Sequence, residues 1–551
     1  MKHSLCRLLG AVLCLGMSGQ LALAQKADLP AQKTIVPFTE NTNQQVRYRK
    51  NIDDLSPAEL AAYEHAVKMM KRKSEQNVFD RTGFLWQAWV HNCGALDVFD
   101  QRTASLSEVK LTKLLANPKL DSCNVRNFLN VPNNTRMHTE HPGECEHQKN
   151  TFLHWHRAEL YFYELSLQAA DPEGLFGPST RNVTLPYWNF TKKPSGVRYP
   201  KAFENTESPL FDFTRTTDPL VQNLPQTSPY LMAYQIFYLD WSGFGGGQLG
   251  TTIGGKLETQ IHNKMHSGYV NGNMGNNTTA GLDPIFYVFH NFLDYSLDKW
   301  IQEHGTEQMS SSSLSTYLRG EQDDSLRKPP GFNTGSGAEK RTDSGAYTEN
   351  MGPAGIYLNT IKLGYGFQSQ NGDEFIRRDE IQALIDGHAQ AGYVFGDNQI
   401  SLFSALLNHS TSEAIANPQI KRTGKYTIPG TTITGSSFAN LIFSRIDHSK
   451  DYSFQADVYL YPGDVAEAIA DKNFRDRYLI TSTAYWALHG HHAHDNVEFK
   501  EQITGIINSL VSQKQGQEWR VTVAISAAPG APVEQSDFSV PTIELGIKSA
   551  K

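Results

Sequence analysis

The stretch HNKMH at 262–266 spaces two histidines four residues apart, and on a helix that spacing turns both imidazoles to one face, where they can share one metal ion. A third histidine, His290, follows within DPIFYVFHNFLDY, among Val288, Phe289 and Phe292. An imidazole in such company costs free energy unless its nitrogens are satisfied, and a metal satisfies one of them. The chain must therefore fold an apolar helical interior around polar ligands.

Upstream, His147 and His156 flank TFL and lead into a WHRAEL helix, and His91 ends LWQAWVHNC on a separate helix. Two groups of three histidines, each drawn from two elements, describe two adjacent metal ions. All-imidazole sites suit copper better than calcium, magnesium or an iron facial triad, while zinc stays open for either trio taken alone.

Across 551 residues the net charge is −7 with no block of lysines or arginines. This gives no electrostatic footprint for nucleic acid or for an anionic membrane, so small-molecule chemistry is the better starting point. Lys2 and Arg7, an apolar run from Leu8 to Leu23 and Ala-Leu-Ala before Gln25 predict a signal peptide over 1–24 and a secreted protein, extracellular or periplasmic. Its cleavage leaves Cys93, Cys123 and Cys145, an odd number for an oxidising compartment.

Helical patterning fills about 55–170 and resumes at about Lys256, with Pro- and aromatic-rich loops between. Residues 310–350 are polar and Gly/Ser-rich, which predicts a long loop, and 371–410 turn helical again. From about Gly424 the alternation changes to period two, as in SFQADVYLYPGD and EWRVTVAISA. The expected organisation is a signal peptide (1–24), a mainly α catalytic core (25–370), a helical linker or lid insert (371–423) and a C-terminal β-sandwich domain (424–551).

His147, Phe152, Trp155, His156, Arg157, Leu160 and Glu164 form one long pattern, and Asp283, Pro284, Phe286, His290 and Asp294 a second. In that order they resemble both signatures of the type 3 copper proteins: tyrosinases, catechol oxidases and haemocyanins. The resemblance implies a four-helix bundle around a dicopper site, with His91, His147 and His156 on one copper and His262, His266 and His290 on the other. O2 would be co-substrate and small phenols the substrates. His138, His141 and His154 are then structural or stand behind the ligands without touching metal. Phe289 stands where many relatives carry a further histidine, one that is not a ligand.

Cys145-Glu146-His147 looks like the Cys-x-His of fungal tyrosinases and molluscan haemocyanins, in which the sulfur is joined to a ligand imidazole. On that reading Cys93 and Cys123 form a disulfide. A free buried Cys145 and a Cys123–Cys145 bridge remain the alternatives.

Glu258 and Asn263 match positions where such enzymes orient one water as a base for the incoming phenol, although Glu258 also suits the first turn of a helix. Asn277 stands where plant catechol oxidases often place a phenylalanine, which suggests an open substrate gate. Tyrosinase activity is the resulting expectation, with diphenol-only catechol oxidase or o-aminophenol oxidase activity as close alternatives and an oxygen carrier as the one from another class. LGYGF at 363–367 and the segment 436–464 resemble the end of the tyrosinase core and the β domain that follows it in fungal enzymes. A bulky side chain of that domain would plug the pocket if the domain is a lid, and His489, His491, His492 and His494 would either capture copper or form a solvated loop.

Overall fold

The computed structural model describes residues 46–76, 80, 82–91, 147, 152–191, 199–215, 229–246, 254–270, 272–277, 279–306, 309, 359–361, 363–368, 375–390, 417–427, 437–446, 452–486, 497–503, 507, 518–527 and 531–547. The signal peptide, the loop at 310–350, the three later cysteines, His138, His141 and the histidines at 489–494 lie outside the described residues.

Helix α1 (Pro57–Gln76) starts where the sequence signals it. The Ser56 backbone N–H donates to Glu59 at 2.8 Å, and the Glu59 N–H donates back to the Ser56 hydroxyl at 3.3 Å. These bonds satisfy two donors that the first turn leaves open, with Pro57 preset for the first helical position. Helix α2 (Phe84–His91) ends on the first of the predicted ligands. Helix α3 (Phe152–Gln168) is buried on nearly every face from Phe152 to Leu167, so it must run through the middle of the core. Helices α1 and α2 pack on it and on each other.

Helix α4 (Pro229–Tyr238) borders helix α5 (Ile285–His304), which packs on α3 and is buried without interruption from Ile285 to Leu297. Gly305 closes α5 at φ 73°, a left-handed conformation that glycine adopts without strain, and its N–H caps the Ile301 carbonyl at 2.8 Å.

Polar signature residues hold this core together. Arg157 on α3 pairs with Asp294 on α5. Arg49, on strand β1 (Arg47–Lys50), donates to Glu164 and Asn291 at 2.8 Å and to Asp294 at 3.2 Å, and lies over the Tyr365 ring at 3.5 Å. Tyr365 opens strand β2 (Tyr365–Gln368), which pairs in parallel with β1, and donates to Asp294 at 2.7 Å. Two guanidinium groups and two carboxylates are thus buried together, an arrangement tolerable only because each charge meets opposite charge and further hydrogen bonds.

Helix α6 (Arg378–Gln390) falls in the stretch expected to be helical. Beyond it, strands β3 (Ile420–Thr427), β4 (Ser437–Arg445), β5 (Phe454–Pro462), β6 (Leu479–Tyr485), β7 (Val497–Gln502), β8 (Glu518–Ala527) and β9 (Thr542–Ile547) form two antiparallel sheets, ordered β3-β8-β5-β6 and β7-β4-β9. Leu441 and Phe443 of β4 share one apolar cluster with Phe454, Val458 and Leu460 of β5 and Val521 of β8. Alternate residues of β5, Tyr459 and Tyr461, face the other way and pack with Leu231 of α4. The period-two pattern thus buries one face between the sheets and the other against the helical core. Among the described residues no helix is long and apolar enough to cross a membrane.

The segment bearing HNKMH departs from the expected ordinary helix. Leu257–His262 and Met265–Val270 wind as π-helical turns. Such turns are rare and concentrate at functional sites. His262 and His266 nevertheless stay neighbours, with ring centroids 4.4 Å apart.

Candidate metal centre

His91, His147 and His156 come together as one group and His262, His266 and His290 as another, the ligand atoms of each group lying within 4.8 Å of one another. The groups adjoin: the rings of His156 and His290 stack at 4.7 Å, and those of His147 and His262 lie 5.1 Å apart. Five of the six rings are aimed by a hydrogen bond through Nδ1. His156 donates to the Phe152 carbonyl at 2.8 Å, His266 to that of Met274 at 2.7 Å and His290 to that of Phe286 at 2.9 Å. His262 uses the Asn263 side-chain oxygen at 2.8 Å, and His147 the Glu258 carboxylate at 3.1 Å.

A donating Nδ1 fixes the tautomer and leaves Nε2 as the free base. Those Nε2 atoms turn inward. In His262 and His290 they approach to 3.1 Å, and in His156 and His266 they are buried with no hydrogen-bond partner among the described residues. Burial pushes His156 and His266 down to about 3, and it pushes His91, His262 and His290 well below the ordinary histidine range, with neighbouring imidazoles adding to the effect. Neutral imidazoles with converging lone pairs are the form that binds metal, so the donor set fits two copper ions, three imidazoles to each.

The remaining predicted residues take definite places. Glu258, 1 % exposed, reaches across from the second triad's segment to a ring of the first. Asn263 orients His262 and also donates its amide N–H to the Ala484 carbonyl on β6 at 2.7 Å. Asn277 is buried on the turn whose Met274 carbonyl anchors His266. His154 joins neither triad; it packs against Trp241 at 5.3 Å and makes no hydrogen bond through its ring among the described residues.

The residue that sequence reasoning left unnamed is Trp486, directly after β6. Its indole is 1 % exposed, stacks on His266 at 3.8 Å with the planes 18° apart, and presents an edge to His147 at 5.1 Å and to His262 at 5.6 Å. It therefore fills the space over both triads. In RYLITSTAYWALH the tryptophan reads as one more apolar strand residue, and no local signal separates it from Tyr485. Arg49 was equally unmarked, since its partners lie 115 and 242 residues away.

The model of the common central domain of tyrosinase matches residues 124–223 and 201–303. A tyrosinase of Hahella sp. (strain CCB-MM4), HcTyr1, is 25% identical over 285 residues, covering 47% of this chain and 54% of the relative. A chloroplastic polyphenol oxidase of Spinacia oleracea is 27% identical over 268 residues, 41% of this chain and 37% of the relative. The alignments thus span about half or less of these curated relatives. Among solved structures, a recombinant latent aurone synthase (polyphenol oxidase) superposes with a TM-score of 0.52 at 18% identity, covering 95% of this chain and 93% of that one. Latent apple tyrosinase gives 0.50 at 16% identity, covering 93% and 100%. At such identities the superpositions speak for the fold alone. Residues 124–303 thus carry the common central domain of tyrosinase, and the two curated relatives and the six converging histidines agree with a type 3 copper protein of the tyrosinase and polyphenol oxidase kind.

Proposed function

We propose that the protein is a copper-dependent phenol oxidase that uses O2 to ortho-hydroxylate monophenols and to oxidise o-diphenols to o-quinones. The observation that carries this reading is the pair of adjoining triads of buried, inward-facing imidazoles. Two copper ions held there supply O2 binding and the redox chemistry.

The chain does the rest. Glu258 and Asn263 each fix one ligand ring, one per triad, from a single π-helical segment and the residue that follows it. Glu258 is the carboxylate that would accept a phenolic proton through one water. Trp486 stands where an aromatic substrate has to lie to reach both triads, so we read the described state as closed. The names of the two superposed polyphenol oxidases, both latent, support that reading, with 25–370 as the oxidase core and 424–551 as the domain that carries the plug. Cys145 joined to His147, a Cys93–Cys123 disulfide and secretion after cleavage at residue 24 belong to the same proposal, and intact mass of the mature protein tests all three.

A diphenol-only oxidase is the second reading, favoured by Asn263 and Glu258 already spending hydrogen bonds on Ala484 and His147. The deciding experiment loads Trp486→Ala with two coppers per chain and follows quinone from a monophenol and a diphenol separately. Quinone from both supports the tyrosinase reading, and quinone from the diphenol alone supports the second. No quinone from either, at full copper loading, overturns the oxidase.

A further inference from the structure

Trp486 sits over the triads as a ligand would, and its fit is more specific than that of an apolar stopper. Besides stacking on His266, its indole N–H donates to the Gly275 carbonyl at 3.4 Å. The platform's anchor and the acceptor belong to one turn: Met274 fixes the His266 ring through its carbonyl, and Gly275 offers the next carbonyl along. That turn is rigidly tied. Asn276 N–H donates to Asn273 at 3.1 Å, and the Asn273 side chain donates to Asp212 at 2.7 Å. Gly272 has φ +62°, and a Cβ there would meet the Thr214 carbonyl at 2.4 Å. The distance from stacking face to carbonyl is therefore built in and does not depend on the plug.

We propose that this pocket is a recognition site for fused bicyclic aromatics carrying a ring N–H, so that with the plug withdrawn it binds free indoles and selects N–H bicyclic phenols among its substrates. A single phenol ring stacked on His266 has no ring N–H for Gly275, whereas a fused pyrrole does. The selection among substrates rests on the phenol oxidase reading; the binding of indole does not.

The test uses full-length Trp486→Gly, copper-free and copper-loaded, titrated calorimetrically with indole and with benzofuran, which has the same shape and an oxygen in place of the N–H. Indole should bind the variant and not the wild type, as an excised side chain's ring refills its own cavity. Benzofuran should bind about 3- to 10-fold more weakly, the worth of one hydrogen bond. Equal affinity for the two overturns the proposal, and so does no indole binding by a variant that still takes up two coppers. Trp486→Phe covers the case in which the glycine variant does not fold: it keeps an aromatic plug without the N–H and should show quinone formation from catechol without activation raised by a similar factor, and a rate equal to wild type overturns the hydrogen bond. With activated Trp486→Gly, 5-hydroxyindole should exceed 5-hydroxybenzofuran in kcat/KM. A preserved indole preference without quinone from catechol would sink the oxidase reading and leave the site standing.

Discussion

The two triads share a donor set and differ in their scaffolding. In the second triad all three rings are held through Nδ1, and every ligand lies within 257–290, on the π-helical turns and α5. In the first, His91 makes no hydrogen bond through either ring nitrogen among the described residues, and is placed by Phe286 at 4.5 Å and Trp155 at 6.2 Å. His147 takes its anchor from Glu258, a residue of the other triad's segment. The second site is thus preorganised by groups of its own stretch of chain, two carbonyls and the Asn263 side chain, and the first is completed partly by the second. Partners that orient ligand rings are typically worth about 10- to 100-fold in metal affinity, so the sites should differ in strength although their ligands are identical.

Removing ligands should break the symmetry most. His91→Ala and His290→Ala should both abolish quinone formation. His91→Ala should retain close to one copper per chain, because the second triad is untouched. His290→Ala should retain clearly less, since its ring also stacks on His156. Metal analysis of the two purified variants decides, and the opposite order would refute the claim that the first site leans on the second.

Next in size is Glu258→Gln. The amide oxygen still accepts from His147, so copper content should hold, but the proton acceptor is gone. Turnover of a monophenol should fall by about 10²-fold or more while that of a diphenol stays within a few-fold. An equal fall for both substrates would reduce Glu258 to a ring anchor.

Chelator titration of the wild type should remove copper in two steps, with a plateau near one per chain, given an affinity gap of about 10- to 100-fold. A single step would mean that packing of His91 against Phe286 and Trp155 orients it as well as a hydrogen bond would.

The ligands were legible because their spacing is local: His262 and His266 need one helical face, and two long signatures carry the rest. The strands were legible from period two, with β3 starting a few residues earlier than Gly424. What escaped depends on contacts between distant segments. The π winding arises within a largely buried segment, where packing of Leu257, Ile261 and Met265 overrides the α spacing that HNKMH suggests. Trp486 meets its imidazoles only because β6 docks along the π segment, with Gln260 reaching Thr481 at 3.4 Å and Asn263 reaching Ala484. Strand patterning predicts that such a residue is buried but not which partner it meets.

The smallest effect asks whether either triad takes up protons while folded. His154 is pushed down to about 3 by burial, with the Arg157 charge adding to it, and His156 and His266 lie equally low. In the unfolded chain each binds a proton near pH 6.5, so between about 6.5 and 3 the unfolded state holds more protons and stability falls with pH. At pH 5 this costs about 2 kcal/mol per histidine, because the unfolded imidazole is then about 1.5 units below its pKa. The Tm of the copper-free protein should therefore drop steadily from pH 7 to 5. Copper should raise the whole curve without changing its slope in that window, since the folded imidazoles carry no proton for the metal to displace. A copper-loaded curve steeper than the copper-free one would show protonation inside the folded site, because protons taken up there would flatten the copper-free curve and copper would exclude them. If His91→Ala then restored parallel curves, the proton would belong to the ligand ring that has no hydrogen-bonded anchor among the described residues, and the asymmetry between the triads would extend from metal affinity to proton affinity.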